Sequence, residues 1–121
     1  MTTKVLAVDD SRTMRSMLDQ ALSEAGFNVE TAEDGEDGYE KLSQTDPDVI
    51  ITDINMPRLD GFGFIERVRS DARHRFVPIL VLTTESAGSL KERARQAGAT
   101  GWIVKPFDQT RLVSAIHRVV A

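Results

Sequence analysis

Three runs in this chain, Val5–Val8, Val49–Thr52 and Pro78–Leu82, are apolar almost from end to end. A strand with one face in water alternates apolar and polar residues, because successive side chains point to opposite sides. Runs that do not alternate are covered on both faces. Between them the spacing changes to that of helices. Met14, Leu18, Ala21, Leu22 and Ala25 recur at helical intervals and stop at Gly26. Tyr39 and Leu42 mark a short helix that ends before Asp46-Pro47, and Phe64, Ile65 and Val68 mark a third. Leu90, Ala94 and Ala97 stop at Gly98, and Leu112, Ile116, Val119 and Val120 make a fifth helical stripe. Asn28–Ala32, a weaker run, and Gly101–Val104 complete five strands. Strand followed by helix, five times over, predicts an α/β chain with a parallel sheet between helices. No linker or repeat interrupts the 121 residues, so a single domain over 1–121, with no output domain attached, is expected. Gly88-Ser89 weakens the start of the fourth helix by roughly 1 kcal/mol against a better helix former, and that end is expected to be mobile.

Composition removes several function classes. There is no cysteine, hence no disulfide framework, thiolate metal site or Cys nucleophile. A formal net charge of −4 disfavours generic nucleic-acid binding. The arginines of 67–75 and 93–95 read as solvated helix faces. No apolar run reaches membrane-spanning length, and the N-terminus meets Asp9 and Asp10 before a signal-peptide core forms. A cytoplasmic protein without membrane contact is expected. His74 and His117 are isolated and read as surface or helix-face residues, and Met14, Met17 and Met56 as packing residues. Asp60-Gly61 reads as a loop leading into the third helix. No Gly-rich nucleotide loop is present, so ATP is not expected as a direct phosphodonor.

The polar residues fall in a pattern. The first strand runs into Asp9-Asp10, the third into Asp53, the fourth into Thr83-Thr84 and the fifth into Lys105. In an open parallel sheet these positions share the carboxyl edge, where ligands bind. Each residue alone has a plainer role: Asp10 or Ser11 as a helix N-cap, Asp53 as a turn residue, Thr83 as a strand end, Lys105 as a solvated cation. Together they bring three carboxylates, a hydroxyl and an ammonium to one place. Two like charges about 4 Å apart repel by roughly 4 kcal/mol at an effective dielectric near 20. A hard divalent cation relieves that repulsion, and Mg²⁺ leaves coordination positions open for a phosphoryl oxygen. A carboxylate can then act as nucleophile and form an aspartyl-phosphate, with Lys105 and Thr83 meeting the phosphoryl oxygens.

The stretches VDDSRTMR, TDINMPRLDG, LTTES and WIVKPF resemble the motif set of bacterial response-regulator receiver domains, in order and at that family's spacing over essentially the whole chain. Among receivers the chain is most similar to the stand-alone chemotaxis regulators. The resemblance implies a flavodoxin-like (βα)5 doubly wound sheet, five parallel strands in order 2-1-3-4-5. It implies Asp53 as phosphoacceptor, and Mg²⁺ held by Asp9, Asp10, Asp53 and the backbone carbonyl of Asn55. Thr83, Thr84 and Lys105 would meet the phosphoryl group, with the bulk of Thr84 narrowing access to it. Thr83 and Trp102 would form the switch, and Asn55 and Glu85 would tune dephosphorylation. The bond before Pro106 resembles one that is cis in the family.

Function follows as an expectation of the same resemblance. The protein takes a phosphoryl group from a phosphohistidine on a chemotaxis-type histidine kinase, changes a surface made of the fourth helix, fifth strand and fifth helix, and dephosphorylates itself. Its partners would be that kinase and the flagellar motor switch protein or a phosphatase, and a monomer is expected. The alternative is a phosphate sink for the kinase that binds no motor. An enzyme of the haloacid dehalogenase class is disfavoured, because its second Asp is replaced here by Asn55, which cannot serve as a general acid or base. A scaffold that is never phosphorylated fits poorly with a full set of acceptor, metal and lysine positions.

Overall fold

The structure, a computed structural model, describes residues 2–120. The three apolar runs form β1 (Lys4–Val8), β3 (Val49–Thr52) and β4 (Ile79–Thr83), buried along nearly their whole lengths. β2 (Asn28–Ala32) and β5 (Gly101–Val104) are the edges of one parallel sheet in the order β2-β1-β3-β4-β5. Helices α1 (Arg12–Glu24), α2 (Gly35–Thr45), α3 (Gly61–Ser70), α4 (Gly88–Ala97) and α5 (Gln109–Val120) connect the strands and close the chain. This is the flavodoxin-like arrangement that the resemblance implied. The fourth strand lies one residue later than the apolar run. Pro78 has no N–H to donate to a ladder, and Thr83 is paired with Val104.

Alternation along the central strands sorts the core into two halves. Val5, Ala7, Val49, Ile51, Leu80 and Leu82 pack with Leu18 and Leu22 of α1 and Leu112 and Ile116 of α5. Leu6, Val8, Ile50, Ile79 and Val81 face the other way. They pack with Leu42 of α2, Phe64, Ile65 and Val68 of α3 and Ala94 of α4. Both faces of the sheet are therefore covered, which is why these strands show no polar side.

Four helices begin with a side-chain cap. Ser11, Asp34, Asp60 and Asp108 accept hydrogen bonds from the backbone N–H groups of Met14, Asp37, Gly63 and Thr110. Such a cap contributes about 0.5–2 kcal/mol relative to Ala. α4 begins at Ala87, which supplies no side-chain cap.

Three surface and packing expectations need correction. His74 is buried rather than exposed, its ring nitrogens 2.9 Å from Asp46 Oδ1 and 3.2 Å from Asp71 Oδ1. The turn after α3 folds it under Asp46, the left-handed C-cap of α2. Met17 is 46% exposed, while Met14 and Leu18 reach the core from the same helix. Arg69 is not on a solvated face but half-buried against backbone carbonyls.

Candidate functional site

Strand register assembles the site. Val8 of β1 lies beside Thr52 of β3, and Thr83 of β4 beside Val104 of β5. The pairing continues one step: Asp53 N–H donates to Val8 O at 3.0 Å, and Lys105 N–H to Thr83 O at 2.7 Å. Asp9, Asp53 and Lys105 each follow their strand directly, so they stand along one edge. The Lys105 ammonium donates to Asp53 Oδ2 at 2.7 Å and to Asp9 Oδ2 at 2.8 Å. The second oxygen of Asp53 accepts from its neighbour Ile54 N–H at 2.6 Å, and Asp9 Oδ1 accepts from Ser11 N–H at 2.9 Å.

Little water reaches these groups. The side chains of Asp9, Asp53 and Lys105 are only 2%, 11% and 10% exposed. Burial raises the Asp9 carboxyl above its ordinary value, against the lowering effect of Lys105 and the Ser11 N–H. Burial on its own would lower the Lys105 ammonium, but the hydrogen bonds to Asp53 and Asp9 carry it above the usual lysine value. The direction for Lys105 reflects its two carboxylate partners, and that for Asp9 chiefly its removal from water.

Asp10 is exposed and completes the acid cluster. One oxygen from each of Asp9, Asp10 and Asp53 lies within 4.8 Å of the others. Set against one ammonium, three ionised carboxylates leave two negative charges uncompensated. Hard oxygen donors with that excess suit a divalent cation such as Mg²⁺, which typically takes one or two carboxylates and keeps several waters. The residues present therefore fit the metal that the resemblance implied.

The remaining candidates ring this cluster. Thr83 is fully buried, and its hydroxyl oxygen accepts a long bond, 3.4 Å, from Glu85 N–H. Thr84 beside it is exposed. Asn55 is exposed and its amide donates to Glu85 Oε1 at 3.1 Å, tying the loop after β3 to the loop after β4. The half-buried Trp102 of β5 donates its indole N–H to Glu85 O at 3.1 Å. Glu85 thus meets Asn55 through its carboxylate and Trp102 through its backbone. Trp102 also lines a groove of about 240 Å³ against α4, with Lys91 and Arg95 at its sides. The Lys105–Pro106 peptide is cis.

Two contributors were not visible in the sequence. Gly61 opens α3 directly against the segment that follows β3: a Cβ there would lie 2.2 Å from Asp53 O and 2.7 Å from Ile54 Cα. The Asp60-Gly61 pair signalled a turn but not this close approach, and Asp60 proves to be the helix cap. Arg15 reaches back from α1 to donate to Asp9 O at 2.8 Å, a contact that a helix-face reading does not reveal.

Comparison with known proteins agrees with this geometry. Residues 5–117 match the family model of the response regulator receiver domain. The chain is 43% identical over 106 residues to chemotaxis protein CheY1 of Helicobacter pylori, covering 86% of each chain. The solved structure of Vibrio cholerae chemotaxis protein CheY4 superposes with a TM-score of 0.94 at 45% identity, over 98% of this chain and 99% of that one. The receiver domain of a sensor histidine kinase from Pseudomonas aeruginosa, solved with a magnesium ion coordinated in its active-site cleft, superposes with a TM-score of 0.91 at 26% identity, over 99% and 98%.

Proposed function

The chain belongs to the response regulator receiver family, and from that premise we propose that it is a chemotaxis phosphorylation switch with Asp53 as phosphoacceptor. The observation that carries this reading is the Lys105 ammonium held between Asp53 and Asp9 at the carboxyl edge of the sheet. An acceptor carboxylate needs a fixed cation beside it that can follow the incoming phosphoryl oxygens. Lys105 is in hydrogen-bond contact with the acceptor before the reaction begins.

An Asp53 carboxylate oxygen attacks the phosphorus of a phosphohistidine. The new P–O bond forms as the P–N bond breaks, and the imidazole departs with the bonding electron pair and takes up a proton. Asp9, Asp10 and Asp53, with the backbone carbonyl of Asn55, would hold Mg²⁺, which when bound offsets charge on the transferred group. Lys105 exchanges its bond to Asp53 for one to a phosphoryl oxygen. Thr83 releases its weak bond from Glu85 N–H and turns its hydroxyl toward the phosphoryl group, with the exposed Thr84 at the entrance. The acyl phosphate carries about −1.5 to −2 charge in place of the −1 of the Asp53 carboxylate, beside two further carboxylates.

The signal leaves through Glu85. Its backbone joins Thr83 on one side and the Trp102 indole on the other. Movement of Thr83 shifts this loop and with it Trp102, changing the surface of α4, β5 and α5. Asn55 and Glu85, bonded across the mouth, flank the path of an attacking water and set the rate of self-dephosphorylation. Asn55 supplies an amide there and no transferable proton, so the chain is a binding switch that handles only its own phosphoryl group.

The reading is tested with a phosphorylated chemotaxis-type histidine kinase and a flagellar motor switch protein. Phosphoryl transfer to the wild type and not to Asp53→Asn supports the acceptor assignment. Capture of the switch protein only in the presence of beryllofluoride supports motor control. Transfer without capture would make the protein a phosphate sink for the kinase.

A further inference from the structure

Arg69 does something the site does not explain. It lies on α3, yet its guanidinium reaches under the C-terminal end of α4. Nε and Nη2 donate to Gly98 O at 3.0 and 2.8 Å, and Nη1 donates to Arg75 O at 3.0 Å and Val77 O at 2.7 Å. Among the described residues no carboxylate pairs with it, and burial holds the group below the ordinary arginine value. A cation half removed from water and bonded only to carbonyls is costly unless the carbonyls need it. Gly98 O, at the C-terminal end of α4, does, because the last carbonyls of a helix have no partner within it and carry partial negative charge; Arg75 O and Val77 O, in the segment before β4, tie that end to the neighbouring turn.

The two ends of α4 differ sharply. At the C-terminal end Gly98 has φ 117, and its N–H donates to Ala94 O and Arg95 O, while Ala99 N–H also donates to Ala94 O. A Cβ on Gly98 would lie 2.7 Å from Arg69 Cγ, so the turn and the arginine stem are in close contact. At the N-terminal end Ala87 gives no side-chain cap, a Cβ on Gly88 would meet nothing within 4 Å, and residues 87–89 are exposed. The loosely held end continues directly from the loop of Thr83 and Glu85.

We propose that Arg69 is the pin about which α4 swings. On phosphorylation the N-terminal turn of α4 moves with the loop after β4, while the C-terminal turn stays fixed on the Arg69 guanidinium. The swing rests on the receiver reading above; the pin does not. It makes Arg69 a positioning residue for the switch: it touches none of the phosphoryl-site residues but decides which end of the output helix responds. The groove between α4 and Trp102 then changes shape mainly at its Gly88 end.

The experiment is residue-resolved amide hydrogen exchange across 88–98, with and without Mg²⁺ and beryllofluoride, on wild type, Arg69→Lys and Arg69→Met. The wild type should change exchange at 89–92 on loading and keep protection at 96–98. Arg69→Met should lose protection at 96–98 by about tenfold or more without ligand, as expected for losing hydrogen bonds from a charged donor. On loading, its changes should spread through the whole helix. Arg69→Lys, which keeps the charge and makes fewer bonds, should fall between. Equal responses at both ends of wild-type α4, or unaltered protection at 96–98 in both variants, would overturn the proposal. An adduct at Asp53 is checked separately. If the wild type does not load, the receiver reading and the swing fail together, and the ligand-free comparison still decides whether Arg69 is a pin.

Discussion

Lys105→Met deletes the ammonium and keeps most of the apolar stem. It leaves Asp9 and Asp53 facing one another with side chains only 2% and 11% exposed, so solvent screens them poorly. Breaking a buried ion pair by removing one partner costs about 3–5 kcal/mol. The low end applies where Asp9, whose carboxyl is already raised by burial, escapes by taking up a proton. The pH dependence has a definite sign. A carboxyl raised in the folded state contributes instability that grows as pH rises through its folded value. Lys105 is raised as well, so its contribution is fully present below the unfolded lysine value near about 10.4 and stays constant between pH 5 and 8. Losing it therefore hurts most at pH 8. One kcal/mol shifts Tm by about 4–8 °C in domains smaller than this one and about 2–4 °C in larger ones. The melting point of Lys105→Met should fall by about 10–20 °C at pH 8 in EDTA and by less at pH 5, read by far-UV circular dichroism. Adding Asp9→Asn should recover much of the loss, and Mg²⁺ should narrow the gap. A variant that melts with the wild type at pH 8, or a gap identical at both pH values, would refute the reasoning.

Gly61→Ala should destabilise by about 1–3 kcal/mol in urea unfolding, because its Cβ meets backbone atoms of Asp53 and Ile54 that have nowhere to go; it should also slow loading at Asp53, and an unchanged midpoint would reject the close-packing account. Trp102 fluorescence should shift on adding beryllofluoride with Mg²⁺, since the indole N–H is bonded to Glu85 O in the loop proposed to move. No change in emission or quencher access would disconnect Trp102 from the switch.

The fold was legible where physics left few choices. β1, β3 and β4 stood out because both faces are covered, and the helical stripes of α1 and α5 because one face meets the sheet. Strand order was not legible from periodicity, which is blind to neighbours; it came with the family resemblance. The contact between Lys105 and Asp9 spans 96 positions, so only their shared place at strand ends hinted at it. His74 was misplaced because nothing in DARHRFVP signals a turn that folds inward onto two carboxylates. Met17 is adjacent to Met14 in helical spacing, but the stripe rotates away at that residue. Arg69 looked like one member of a charged face, since sequence shows a cation and not the carbonyls waiting for it.

The central claim is that Asp53 accepts a phosphoryl group in a magnesium-dependent reaction. Intact mass after incubation with acetyl phosphate tests it most directly, alongside Asp53→Asn and a magnesium-free sample. One added phosphoryl group in the wild type, lost in both controls, is the predicted result. A wild type that gains no mass under rapid quench, or an Asp53→Asn variant that gains the same mass, would contradict it.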